Sequence, residues 1–328
     1  MKRMNIGVIG TGKIAMQVTG SMKQVEGVKL YAVCSRKQET GQRFADKMGI
    51  PNVYTDFDRM LIDENIDFIY IAAPNSLHYQ YACNAVNHGK NVILEKPFCS
   101  NLREAEKLVE LVKEKGVYLF EAITTLHSRN YKLLKEKLGE IGNVGQVQCN
   151  YCQYSSKMPA FLRGEVANVF TLKYSGGTLM DIGVYNLHFA VGLFGKPEKV
   201  TYYARKHENG VDLGGTLILE YPGLVVDAAA AKDVATVSRC VLVGDKGYIE
   251  VPGGANGEKA FDLTVGNETV HYDIDSEERR FINEIEAFKD IYEKEDMEAC
   301  HKLLAETLDV MWCVEMAKKS ADIVFEAD

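Results

Sequence analysis

The stretch Asn5-Ile6-Gly7-Val8-Ile9-Gly10-Thr11-Gly12-Lys13-Ile14-Ala15 decides the reading of the fold. A short apolar run with strand character is broken at once by glycines. Beyond them Ile14, Val18, Met22 and Val25 recur at spacings of three to four, as an amphipathic helix requires. A strand, a glycine turn and a helix N-terminus in that order form a phosphate cradle. Gly10 serves the tight turn, Gly12 lets backbone approach a pyrophosphate, and Ala15 is small enough for helix and strand to pack. The uncapped N–H groups of the helix then face the anion. Gly10, Thr11, Gly12, Lys13 and Ile14 are therefore expected to line a dinucleotide.

The alternation continues outward from this stretch. Apolar runs at 29–34, 53–54, 68–73, 91–94 and 117–120 alternate with helical spacings, one from Ser76 to His88 before Gly89, another from Asn101 to Gly116. Nearly continuous apolar strands suit a parallel sheet covered on both faces. Residues 1–122 are thus expected to form an α/β Rossmann domain with a parallel, doubly wound sheet. From Val144 the rhythm changes to short strands, with Pro222-Gly223 and Asp245-Lys246-Gly247 as hairpin connections. Residues 123–328 are expected to form an α+β domain with a large, predominantly antiparallel open sheet. Helical spacing returns over 276–328, with Phe281, Ile285 and Phe288, then Leu304, Leu308 and Met311.

The bulk numbers exclude several classes. In 328 residues, 38 basic against 46 acidic side chains give a net charge of −8, which argues against nucleic acid, whose phosphates draw on clustered Lys and Arg. No apolar stretch is long enough to span a membrane, and after the opening Met1-Lys2-Arg3 the short apolar run is broken at once by glycines, so no signal peptide is expected. Cys149 and Cys152 form one Cys-x-x-Cys in a strand-like segment, where residues three apart point to opposite faces. No second pair follows at zinc-site spacing, so no metal is expected, and the eight cysteines read as reduced thiols of a cytoplasmic protein.

The end of the second strand selects the cofactor. An acid there binds the ribose 2′-hydroxyl of NAD, whereas Arg accommodates the 2′-phosphate of NADP. Here Ser35-Arg36-Lys37 carries no carboxylate before Glu39, which favours NADP, with NAD as the alternative. Ala73-Pro74-Asn75-Ser76-Leu77-His78 ends the fourth strand and Glu95-Lys96-Pro97 the fifth. Ligands of open α/β sheets lie outside the carboxyl ends of strands, so Ala73, Pro74, Asn75, His78, Glu95 and Lys96 are expected at the cofactor. By its own chemistry Lys96 reads more readily as a solvated charge.

These motifs, with Gly176-Gly177-Thr178-Leu179-Met180-Asp181-Ile182-Gly183-Val184-Tyr185, resemble the glucose–fructose oxidoreductase and inositol dehydrogenase family, often called Gfo/Idh/MocA, through nearly the whole chain. The resemblance implies Lys96 beside the nicotinamide, Asp181 in the substrate site and Tyr185 as the acid/base. Inositol dehydrogenases carry histidine at the last position. Tyr185 and Phe120-Glu121-Ala122 are closer to the dihydrodiol dehydrogenase-like branch. His188 is a second candidate for proton relay and substrate contact, and Asp181 for orienting Lys96 or bonding a substrate hydroxyl. A free tyrosine ionises near pH 10, and a neighbouring ammonium would bring it down.

The function implied is NADP-dependent hydride transfer to or from a sugar, polyol or related small diol or carbonyl compound. A non-catalytic dinucleotide-binding regulator and an NAD-assisted glycoside hydrolase are the alternatives that the same family offers. Retention of Lys96, Asp181 and Tyr185 together favours the dehydrogenase. A homodimer or homotetramer is expected through the second domain's sheet, whose helix-free face is expected to be apolar.

Overall fold

The structure, a computed structural model, describes residues 3–257 and 259–328; Met1 and Lys2, part of the segment read above as lacking a signal, lie outside them. Contacts divide the chain into two units. The first holds the chain up to Cys99, Arg103–Ala122 and Phe281–Ala305; the second holds Ser100–Leu102, Ile123–Arg280 and Glu306–Asp328.

In the first unit the elements run β1 Met4–Ile9, α1 Lys13–Met22, β2 Val28–Cys34, α2 Gln38–Met48, β3 Asn52–Tyr54, α3 Phe57–Leu61, β4 Phe68–Ile71, α4 His78–Asn87, β5 Asn91–Glu95, α5 Leu102–Lys115 and β6 Leu119–Ala122. The six strands are all parallel, in the order β3-β2-β1-β4-β5-β6. The order reverses between β1 and β4, and the carboxyl ends of these strands are where a doubly wound sheet binds its ligand. Ile6, Val8, Phe68, Ile69, Ile71, Val92 and Ile93 have no exposed surface, as two-sided burial demands. Strand β6 starts two residues later than expected. Gly116 and Val117 both donate to the Val112 carbonyl to close α5, so the sheet pairing begins only at Leu119.

The second unit continues with α6 Thr124–His127, α7 Arg129–Lys137, β7 Val144–Cys152, α8 Met158–Leu162, α9 Val184–Phe194, β8 Lys199–Lys206, β9 Asp212–Tyr221, β10 Leu224–Ala231, β11 Arg239–Gly244, β12 Gly247–Pro252, β13 Phe261–Val265 and β14 Glu268–Tyr272. Its sheet has the order β14-β13-β12-β11-β7-β10-β9-β8, and only β7 and β10 pair in parallel. Hairpins β9–β10 and β11–β12 form at the turns expected. Strand β9 starts at Asp212, four residues before the apolar run Thr216–Tyr221 that the sequence shows as a strand, because Gly214 and Gly215 hide its beginning. A Cβ on Gly215 would sit 2.6 Å from the Tyr203 carbonyl oxygen, so the close approach of β8 requires glycine.

Two expectations are corrected here. Helices α10 Arg280–Glu293 and α11 Met297–Ser320 do not belong wholly to the second domain, because Phe281–Ala305 packs with the first unit. The Phe288 ring stacks on Phe120 at 4.6 Å, and Tyr292 meets Phe68 edge-on at 4.9 Å and Tyr118 at 5.4 Å. Periodicity reveals an apolar helix face but not which sheet it covers. The open face of the larger sheet is also not uniformly apolar. One cross-strand row carries Val225, Gln146, Val243 and Tyr248, and the next carries Asp227, Gln148, Val241 and Glu250. No helix among the described residues is long and apolar enough to cross a membrane.

Candidate active site

The cofactor half lies in the first unit. Gly10 has φ +101°, and a Cβ on it would overlap the Ala72 carbonyl oxygen, so only glycine lets β1 turn this close to β4. Gly12 is the N-cap of α1 and offers no side-chain cap; a Cβ on it would meet nothing within 4 Å. The first turn of α1 therefore keeps its N–H groups uncapped beside open space, the arrangement that accepts a phosphate. Thr11 and Ile14 are half-buried around it, Lys13 is exposed, and Ala15 is fully buried against the sheet. At the end of β2, Ser35 donates its N–H to the Tyr54 carbonyl and Arg36 stands exposed. These residues fit a dinucleotide, with Arg36 the cation available at the ribose.

Two further loops end β4 and β5. Ala73, Pro74 and Asn75 are half-buried, and Asn75 opens a short 3₁₀ turn before α4. His78 ties the loops together: its Nδ1 lies 2.9 Å from the Pro97 carbonyl oxygen and its Nε2 lies 3.0 Å from that of Ala73. Burial pushes the imidazole's pKa down, against the pull of the Pro97 and Ala73 carbonyls. Glu95 is buried beneath, where it accepts a 2.7 Å hydrogen bond from the Tyr70 hydroxyl. Lys96, next to it, is half-buried.

The segment expected to meet substrate, which follows Gly176-Gly177, lies in the second unit. Cβ atoms on Gly176 would sit 2.6 and 2.7 Å from the carbonyl oxygens of Asn168 and Val169. Gly177 has φ +119°, and a Cβ on it would overlap Asp212 Oδ1. Asp212, almost fully buried at the start of β9, accepts from the Leu179 N–H at 2.7 Å and the Tyr202 hydroxyl at 2.8 Å. It caps a helix that opens as a π-helical turn, Leu179–Gly183, and continues as α9. Burial raises the pKa of Asp212, the Leu179 N–H and Tyr202 hydroxyl opposing it, and burial beside this carboxylate raises that of Tyr202.

From Leu179 to Gly192 this helix is buried except at Asp181, which is half-buried; Tyr185, one turn further on, keeps 8% of its surface exposed. Asp181 Oδ2 accepts from Lys232 Nζ. The Tyr185 ring stands edge-on to Tyr151, centroids 5.9 Å apart. The Tyr151 hydroxyl accepts from Asn256 Nδ2 at 2.7 Å, and Asn256 Oδ1 in turn accepts from Arg280 Nη2. Tyr185 thus rests on a ring that is itself fixed by a hydrogen-bonded relay.

The family model of oxidoreductases with an NAD-binding Rossmann fold matches residues 4–123, and the family's C-terminal domain matches residues 133–250. Scyllo-inositol 2-dehydrogenase (NADP(+)) IolU of Bacillus subtilis (strain 168) is 34% identical over 321 residues, 98% of each chain. The chain belongs to the Gfo/Idh/MocA oxidoreductase family. Trans-1,2-dihydrobenzene-1,2-diol dehydrogenase of Xenopus tropicalis is a more distant relative, 28% identical over 253 residues that cover 75% of this chain and 74% of that one. Among solved structures, KijD10, a 3-ketoreductase from Actinomadura kijaniata in complex with NADP and TDP-benzene, shares the fold with a TM-score of 0.85 at 20% identity, over 97% of this chain and 98% of its own. Aldose–aldose oxidoreductase of Caulobacter crescentus does so with a TM-score of 0.83 at 19% identity, over 98% of each chain.

In this Gfo/Idh/MocA oxidoreductase both ring nitrogens of His78 and one carboxylate oxygen of Glu95 meet protein groups, and His188 has no exposed surface. Sequence reasoning missed Lys232, Asp212, Tyr202 and Tyr151. The only signal for Asp212 was its place between Gly210 and Gly214-Gly215, Tyr202 carried none, and Lys232 is the first charge after the run Ala228–Ala231.

Proposed function

We propose that the chain is an NADP-dependent oxidoreductase that interconverts an alcohol and a carbonyl on a sugar, polyol or related small diol. The observation that supports this reading is the placement of a half-buried Asp181 one turn before Tyr185, which keeps 8% of its surface exposed, on a helix otherwise buried from Leu179 to Gly192. A tyrosine that served packing alone would need no carboxylate one turn before it and no relay behind its ring. The nicotinamide supplies the hydride acceptor or donor when bound. In the oxidative direction Tyr185, as phenolate, takes the hydroxyl proton of the reacting carbon; in the reductive direction its hydroxyl returns that proton to the carbonyl oxygen. In this reading Lys96, at the end of β5, also serves the proton transfer, as the family resemblance implies. Asp181 accepts hydrogen bonds from substrate hydroxyls. Arg36 and Ser35 support the choice of NADP, in line with the NADP(+) in the name of the Bacillus relative.

The test is steady-state turnover of NADP(H) with scyllo-inositol, D-glucose, D-xylose and trans-cyclohexane-1,2-diol, followed by variants. Tyr185→Phe keeps the ring and its contact with Tyr151, so melting temperature and NADPH affinity stay level while kcat falls ~10²–10⁴-fold, the span of a positioned proton donor. Lys96→Ala also lowers kcat, and the double variant loses far less than the product of the two, because the residues act as one unit. Near-parent turnover in Tyr185→Phe refutes the assignment. We further propose that a second copy of the chain covers the open face of the eight-stranded sheet, where Val225, Val243 and Tyr248 are exposed, and that the protein works in the cytoplasm, where its eight free thiols stay reduced.

A further inference from the structure

Lys232 donates to Asp181, a residue of the proposed substrate site, and its burial is unusual. Only 5% of it is exposed, whereas lysine is almost never fully buried unless paired. Its backbone is clamped on both sides: its N–H donates to the Leu213 carbonyl at 2.8 Å, and its carbonyl accepts from Ser155 N at 2.7 Å. The ammonium is thus delivered from the end of β10 at a fixed place, where it donates to Asp181 Oδ2. The Asp181 side chain, by contrast, is 31% exposed. A cation sealed beneath a carboxylate that faces outward is costly as a structural device, because an apolar side chain of similar volume is often as stable or more so. A buried ammonium does, however, hold a carboxylate ionised and in one orientation.

We propose that Lys232 is a positioning residue for substrate recognition. Through Asp181 it fixes a hydrogen-bond acceptor for a hydroxyl next to the reacting carbon, so the enzyme selects vicinal diols over simple alcohols. The inference rests on the role given above to Asp181, and it adds a residue on a different strand and a basis for specificity. Lys232 touches no reacting atom in this scheme. Its removal therefore weakens binding of the neighbouring hydroxyl and leaves the hydride step largely intact.

The experiment compares trans-cyclohexane-1,2-diol with cyclohexanol at saturating NADP in the parent, Lys232→Met, Lys232→Arg, Asp181→Asn and the double variant Lys232→Met/Asp181→Asn. Lys232→Met is expected to raise KM for the diol roughly tenfold or more with kcat changed far less, and to leave KM for cyclohexanol unaltered. Lys232→Arg restores part of the diol preference, and the double variant matches Asp181→Asn. Should Lys232→Met fail to fold, Lys232→Gln, of similar length and uncharged, takes its place in the same comparison. An unchanged diol preference in the uncharged variant, with Asp181→Asn defective, overturns the inference and leaves the proposed function standing. A full diol preference in Asp181→Asn overturns the role of Asp181 and the inference with it, as does absence of turnover of both compounds by the parent.

Discussion

Gly177→Ala is the sharpest single perturbation of the site's architecture. The position combines a left-handed φ of +119° with a Cβ position that overlaps Asp212 Oδ1. Holding alanine at such a φ costs about 1–3 kcal/mol. The carboxylate must also move aside, giving up the Leu179 N–H or the Tyr202 hydroxyl, and a hydrogen bond to a buried charged group is worth about 1.5–3 kcal/mol. The two effects together put the loss at roughly 3–5 kcal/mol, a large share of the ~5–15 kcal/mol that holds a domain folded. Urea unfolding followed by far-ultraviolet circular dichroism reads this as a fall in midpoint, and kcat falls as well because the helix bearing Asp181 and Tyr185 loses its cap. Asp212→Ala is itself destabilising, since it strands the Tyr202 hydroxyl, but combined with Gly177→Ala it removes the clash. The pair should therefore cost clearly less than the sum of the singles. Strict additivity, or a Gly177→Ala midpoint equal to the parent's, refutes the reasoning.

Arg36→Ala should erase the preference for NADPH over NADH in fluorescence titrations; retention of the full preference means that another group reads the 2′-phosphate. Burial holds the His127 pKa down to about 3, with Lys132 and His188 adding to the effect, so the folded state prefers the neutral ring. The stability this confers is complete above pH 6.5 and is lost as pH falls towards 3, at up to about 1.4 kcal/mol per unit. His127→Leu should flatten that slope in urea titrations run between pH 6.5 and 4, and an unaltered slope assigns the acid sensitivity elsewhere. Val225→Arg on the open sheet face should shift light-scattering mass towards the monomer, whereas a monomeric parent at micromolar concentration discards self-association.

Most of the first unit is legible because its strands are apolar throughout and its glycines sit at the turns. Gly10, which turns β1 close to β4, and Gly12, which opens α1, stand out in the sequence itself. Strand β14 does not: Glu268 to His271 are all exposed, so no hydrophobic alternation marks it. Asp181 and Tyr185 were reached through the motif after Gly176-Gly177, since on chemistry alone a tyrosine in a buried helix reads as packing. Lys232 and Asp212 stayed hidden for a different reason. Both act across the sheet on a segment more than thirty positions away, and long-range pairing of a single charge leaves no local pattern.

The aromatic stack of Phe68, Tyr118, Phe120, Phe288 and Tyr292 has a consequence for biosynthesis. Its first three rings emerge from the ribosome by residue 120, but the last two follow only after the whole of Ile123–Arg280. At about 5–20 residues per second, the nascent Rossmann sheet waits roughly ten seconds or more with one aromatic flank uncovered. A fragment that stops at Ala122 should therefore bind an apolar dye and aggregate, and adding a peptide spanning 281–305 in trans should suppress both. The early half of this chain matures only when its late half arrives, and a chaperone has that interval in which to act.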